Sequence, residues 1–176
     1  MRREYSARLR KEFDSSLKEL MPCFSIVKDE NHTAKSSPLY RCVVADDFFM
    51  YIYLDIANTF NQFRVEVAWS TEQKIPKWEP FINPQDDAHG QGIRVCLSRF
   101  WKIKGDYWWV IEPRDTPQEA IRRVKEFDMS LPPVSQFLPN VTTNVQEVMQ
   151  KLREYGLPYL VKVASEHGHE MDFNIK

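Results

Sequence analysis

The segment Phe48-Phe49-Met50-Tyr51-Ile52-Tyr53-Leu54-Asp55-Ile56 constrains the fold more than any other part of the chain. Aromatic and β-branched side chains dominate it, and neither glycine nor proline interrupts it. Such a run reads as a strand. Side chains alternate across a strand, so Phe48, Met50, Ile52, Leu54 and Ile56 form one aliphatic-rich face. Phe49, Tyr51, Tyr53 and Asp55 form the other.

Neighbouring segments extend this pattern. Residues 39–44 read as a strand joined to 48–56 through Ala45-Asp46-Asp47, a connection short enough for a hairpin. In residues 62–70, Phe63, Val65, Val67 and Trp69 alternate with Arg64, Glu66, Ala68 and Ser70. Further strands are expected at 24–27, 93–99 and 106–112. Short connections force antiparallel pairing, since a parallel pair needs a long crossover.

Helices flank the strands. Residues 3–20 place Ala7, Leu9, Phe13, Leu17 and Leu20 at spacings near three and four, and Pro22 closes the segment. Thr116-Pro117-Gln118-Glu119 is a capping box that starts a helix running to about Phe127. Thr143-Asn144-Val145-Gln146 is read as a second box, with Gly156 as the stop. Leu157-Pro158 then opens a last helix. Segregated strands and helices give an α+β fold. It comprises an N-terminal helix, an antiparallel sheet of about five to six strands, and C-terminal helices packed on one face. The expectation is one domain over residues 1–176, with a tail that frays from about 168.

Chemistry is sparse. The 24 basic and 25 acidic residues balance, so no net field favours a nucleic-acid partner. The N-terminus has no apolar stretch after its arginines, and no run suits a membrane span; the expected location is the cytoplasm, without membrane association. Cys23, Cys42 and Cys96 are widely spaced and odd in number, which favours buried free thiols over a disulfide framework or a zinc site. No phosphate-cradling glycine motif or nucleophile elbow is present. His167-Gly168-His169 and the Asp86-Asp87-His89 group are the nearest approaches to metal ligands, and both read more simply as solvated segments. No cofactor is expected.

The second face of the strands is the more informative feature. Phe49, Tyr51 and Tyr53 join Arg64, Glu66 and Arg94 there, a mixture typical of recognition surfaces. Residues 71–92 form a long irregular loop carrying Trp78, Phe81, Asp86 and Asp87. Two arrangements are open. Either the face is free for a protein partner, with the acids steering a basic one, or Trp78 and Phe81 fold back to cover it.

Two later motifs, Asp106-Tyr107-Trp108-Trp109 and Leu152-Arg153-Glu154-Tyr155-Gly156-Leu157-Pro158-Tyr159-Leu160, resemble those of the small bacterial proteins grouped as domain-of-unknown-function family 4304. The likeness spans roughly residues 8–166, with a longer middle loop here. It implies an α+β fold and a cytoplasmic bacterial protein, and it carries no catalytic residues. Small proteins of this general type often serve as immunity proteins that neutralise a cognate toxin. The leading expectation is therefore a non-enzymatic protein-binding domain of that kind. The alternatives are a metal-assisted hydrolase using Asp86, Asp87 and His89, and a small-ligand pocket lined by Tyr51, Tyr53 and Trp109.

Overall fold

The computed structural model describes residues 3–28, 37–57, 60–78, 90–101, 106–111, 116–127, 134–136, 138–171 and 173. The chain opens with helix α1 (Arg3–Leu20) and a short strand β1 (Ser25–Ile26). Strands β2 (Leu39–Ala45), β3 (Phe48–Ile56), β4 (Gln62–Ser70) and β5 (Gly92–Cys96) follow. A 3₁₀ turn (Leu97–Trp101) and strand β6 (Trp109–Val110) complete the sheet. Helices α2 (Pro117–Lys125), α3 (Leu138–Lys151) and α4 (Leu157–Glu166) come last. The expected α+β architecture is present.

The sheet is antiparallel in the order β1-β2-β3-β4-β5, and β6 also pairs with β4. Strand β3 runs opposite β4 over their length, from Phe49↔Ser70 to Ile56↔Phe63. The far edge of β4 is shared: β5 takes Glu66 to Ser70, and β6 takes Gln62 and Phe63. The strand expected at 93–99 thus ends at Cys96, where the chain turns into the 3₁₀ segment.

One sheet face carries the main core. Met50, Ile52, Leu54, Phe63, Val65, Val67 and Trp69 are buried there. Tyr5, Leu9, Phe13 and Leu17 of α1 lie against them, as do Val141, Val145 and Val148 of α3 and Leu160 and Val163 of α4. The α1 stripe therefore recurs every fourth residue, as one buried helix face requires. Phe13 meets the Tyr40 ring at 5.6 Å, and Phe48 stacks on Trp69 at 5.7 Å. Each fully buried side chain of this size stabilises by about 1.5–3 kcal/mol relative to exposure. Trp69 also donates its indole N–H to Tyr159 Oη at 3.1 Å, tying α4 to β4. Trp69→Phe is expected to remove about 1 kcal/mol of stability, measured by urea unfolding, because one hydrogen bond is lost while most of the ring area stays.

Two helix signals are used differently from the sequence reading. Helix α3 begins at Leu138, not near Thr143, because Pro139 sits in its first turn, where no backbone N–H is needed. Gly156 is not a stop. Its φ of −65° is right-handed helical, and the chain passes from α3 through one π turn (Leu152–Gly156) into α4. Pro158 has no N–H to continue the ladder, which slips so that Leu157 N–H donates to Leu152 O. Glycine is needed at 156 for space: an added Cβ would lie 3.1 Å from Leu152, 3.2 Å from Leu97 and 3.3 Å from Val67.

Gly92 is the tighter case. At the start of β5 its φ is 156°, and a Cβ there would lie 2.6 Å from the Trp69 carbonyl oxygen. That neighbour is backbone and cannot swing away. Gly92→Ala is expected to cost about 1–3 kcal/mol, read as a lower urea midpoint. The segment after Gly168, expected to fray, returns to the body: Met171 and Phe173 pack on the core, and Phe173 stacks on Phe24 at 6.5 Å.

Candidate functional site

The second face of the sheet holds a group of charges. Arg64 projects from β4 and reaches Asp55 of β3 at 2.9 Å, its strand neighbour Glu66 at 3.0 Å, and Asp106 at 2.7 Å. Its register partner on β3 is Asp55, so antiparallel pairing alone sets that contact. Arg94 of β5 reaches Glu66 at 2.5 Å, and Arg99 reaches Asp106 at 3.2 Å. Three arginines thus face three carboxylates, and the formal charges cancel.

Rings enclose this cluster. The Arg64 guanidinium lies 4.5 Å from the centre of Trp78 and 4.8 Å from that of Trp108. Arg94 lies 4.5 Å over Tyr53. Arginine suits such a place because its flat, weakly hydrated cation stacks on rings while its fork holds carboxylates. Glu66 is 0% exposed. Burial pushes its carboxyl above the ordinary value, and Arg94 and Arg64 pull it back. Burial likewise raises the Cys96 thiol, which sits beside Ser98 Oγ at 3.2 Å.

Beside the ion pairs lies a second, smaller apolar cluster. Phe49, Tyr51 and Tyr53 are buried with Leu39 and Ala68, beneath Val27 and Ile75. The chain after β4 folds back to do this, and Tyr51 Oη donates to Glu72 O at 3.5 Å. Of the two arrangements the sequence leaves open, the structure shows the covered one, so the proposed partner-binding residues of this face are not available for docking. Phe49, Tyr51, Tyr53 and Glu66 are closed within the monomer, and Arg64 keeps only 15% side-chain exposure. Trp78 acts as part of the cover, while Phe81, Asp86, Asp87 and His89 lie outside the described residues.

The structure brings Tyr53, Arg64, Glu66, Arg94 and Trp78 together as one cluster. It separates the residues of the expected ligand pocket. Tyr51 and Tyr53 belong to the second face and Trp109 to the first, so they line no common space. An open groove of about 710 Å³ does run between α1 and α3, lined by Ser16, Glu19, Leu20, Met149 and Arg153. None of the expected site residues faces it. His167 packs on Trp69 at 4.7 Å, and His169 on Phe48 at 5.1 Å. Among the described residues, no three histidine, cysteine or acidic side chains converge to hold a metal, and no helix is long and apolar enough to cross a membrane.

Among the described residues, an open apolar stripe lies elsewhere, on α2. Thr116 Oγ1 accepts from Glu119 N at 3.2 Å, and Glu119 Oε2 accepts from Thr116 N at 2.9 Å, so the helix starts where its capping box places it. No side chain of α2 is buried. Ile121 is 56% exposed and Val124 76%. At 3.6 residues per turn, Ala120, Ile121 and Val124 share one side, with Arg123 and Lys125 at its two edges. Arg122 and Glu126 pair across the opposite side at 2.6 Å.

Phe127 follows at the helix end. It is 90% exposed and holds a φ of 50°. That left-handed position normally carries glycine, and a bulky residue there costs about 1–2 kcal/mol. The spacing Ile121-x-x-Val124-x-x-Phe127 is visible in the sequence; that none of the other described residues covers it is not. No family model, curated protein or solved structure matches the chain. The family likeness read from the sequence thus rests on its own two motifs. One supplies Asp106 and Trp108 to the ion cluster, and the other forms the π turn.

Proposed function

We propose that this chain works by binding another protein, and that α2 with Phe127 is the element its partner grasps. The exposed stripe carries the reading: Ile121, Val124 and Phe127 present large apolar area to solvent on one short helix. Isolated exposed apolar residues need no explanation, but a contiguous set does. A strained, solvent-facing phenylalanine adds to it, since strain persists where function retains it. Arg123 and Lys125 at the edges call for a cleft that is apolar inside and acidic at its rim, the helix-in-groove mode. In its most specific form, the partner is a toxin that the chain neutralises by occupying that cleft.

A photo-crosslinking residue in place of Val124, compared with one in place of Val43 on β2, which is likewise exposed, tests this in the producing cell. The expected result is one stoichiometric adduct from position 124, absent from position 43 and lost in the Arg123→Glu, Lys125→Glu chain. Equal adducts from both positions would count against α2. If the captured protein arrests growth only when the chain is missing, the toxin-neutralising form stands; if it never does, that form is excluded.

A further inference from the structure

We propose that Cys23 and Cys42 are a redox-modification site, which an external low-molecular-weight disulfide converts into an intramolecular disulfide. Cys23 is the attacking thiol and Cys42 the resolving one. This inference is independent of the binding role of α2.

Strand pairing brings the two residues together. Ser25 pairs with Arg41 and Ile26 with Tyr40, so one step further along the ladder sets Phe24 opposite Cys42, with Cys23 adjacent. Cys23 is thus one residue away from the position directly opposite Cys42, a diagonal neighbour across the ladder, and a disulfide spans Cα atoms about 4.4–6.8 Å apart. The chain turns just there, where Phe24 N donates to Met21 O at 3.1 Å. The Cys23 and Cys42 side chains are hydrogen-bonded to each other. Their surroundings differ. Cys23 is exposed, whereas Cys42 is buried in the main core between Tyr40 and Met50. An exposed thiol poised beside a buried resolving thiol is the arrangement that redox-sensing pairs use.

The same contact separates their acidities. The hydrogen bond from Cys42 lowers the Cys23 pKa despite partial burial. Donating that bond, together with burial and the nearby Cys23 charge, raises Cys42. The exposed sulfur is thus the nucleophile and the buried one stays a neutral donor until it is needed.

The steps balance. The Cys23 thiolate attacks one sulfur of R–S–S–R, the external S–S bond breaks, and RS⁻ leaves and is protonated by water. Cys42 gives its proton to solvent, and its sulfur attacks Cys23 Sγ. The mixed disulfide breaks and the second RS⁻ leaves as thiol. Two protein thiols are oxidised, one external disulfide is reduced, and the proton count is unchanged.

Oxidised glutathione added to the full native chain tests this, read by intact mass and by mapping without reduction. The expected product is a chain lighter by two hydrogen atoms, with the Cys23 fragment joined to the Cys42 fragment and Cys96 still a thiol. Dithiothreitol should reverse it. Cys42→Ser should stop at one glutathione on Cys23, and Cys23→Ser should react more slowly by roughly tenfold or more. Near-UV circular dichroism checks that each variant is folded, and the wild-type product decides the matter alone. Three unchanged thiols, a persistent glutathione adduct on wild-type Cys23, or a bond from either residue to Cys96 or to a second chain would overturn the proposal.

Discussion

Arg64→Ala is expected to lower the free energy of unfolding by about 3–5 kcal/mol, the cost of removing one partner from a buried ion cluster. The reason is what remains. Asp55, Glu66 and Asp106 lose the cation they share, and Glu66, whose carboxyl burial already pushes above its ordinary value, has no contact with water from which to recover solvation. Trp78 and Trp108 also lose the cation between them. By contrast, Lys18 and Asp14 form a solvent-facing pair at 2.7 Å on α1, and Asp14→Ala should change stability by under about 0.5 kcal/mol. Urea unfolding followed by tryptophan fluorescence compares the two. The interaction should also be non-additive: in a Glu66→Gln background, Arg64→Ala should cost less by about 0.5–3 kcal/mol. A loss below about 1 kcal/mol for Arg64→Ala alone would mean that the cluster is hydrated and the face less closed than described.

The second large effect concerns recognition without stability. Val124→Asp combined with Phe127→Asp should weaken partner binding by about a hundredfold or more, as expected when central apolar anchors are lost. Stability should move by no more than about 0.5 kcal/mol, because neither side chain packs on the body. Phe127→Gly separates the two properties further. Glycine suits φ 50°, so the folded state should be as stable or slightly more so, while binding falls. Titration against the crosslinked partner measures the first property, and thermal unfolding the second. Wild-type affinity in the double variant would remove α2 from the account.

The elements that rest on local periodicity were legible. Alternation in 48–56 and 62–70 gave β3 and β4, and fourfold spacing gave α1. Signals with two physical meanings were read the usual way and belonged to the other. Pro139 begins a helix rather than ending a connection, and Gly156 makes room for the sheet rather than stopping a helix. The membership of the second face was legible too, since register follows from alternation. Its closure was one of two readings that the long, tryptophan-bearing loop allowed, and only the fold-back of Ile75 and Trp78, a long-range event, decides between them. The open stripe on α2 was hidden by the same kind of ignorance: the sequence shows an amphipathic helix, and only packing tells whether its apolar side is used. Cys23 and Cys42 meet through strand pairing across an intervening segment, so their spacing conveyed nothing.

Hydroxyl-radical footprinting of the native chain tests the assignment of closed and open surfaces most directly. Phe127, Val124 and Ile121 should oxidise rapidly, and Phe49, Tyr51 and Tyr53 should react only once denaturant unfolds the chain. Tyrosines of β3 that label as fast as Phe127 in the native state would contradict the account and return the sheet to candidacy as the docking face.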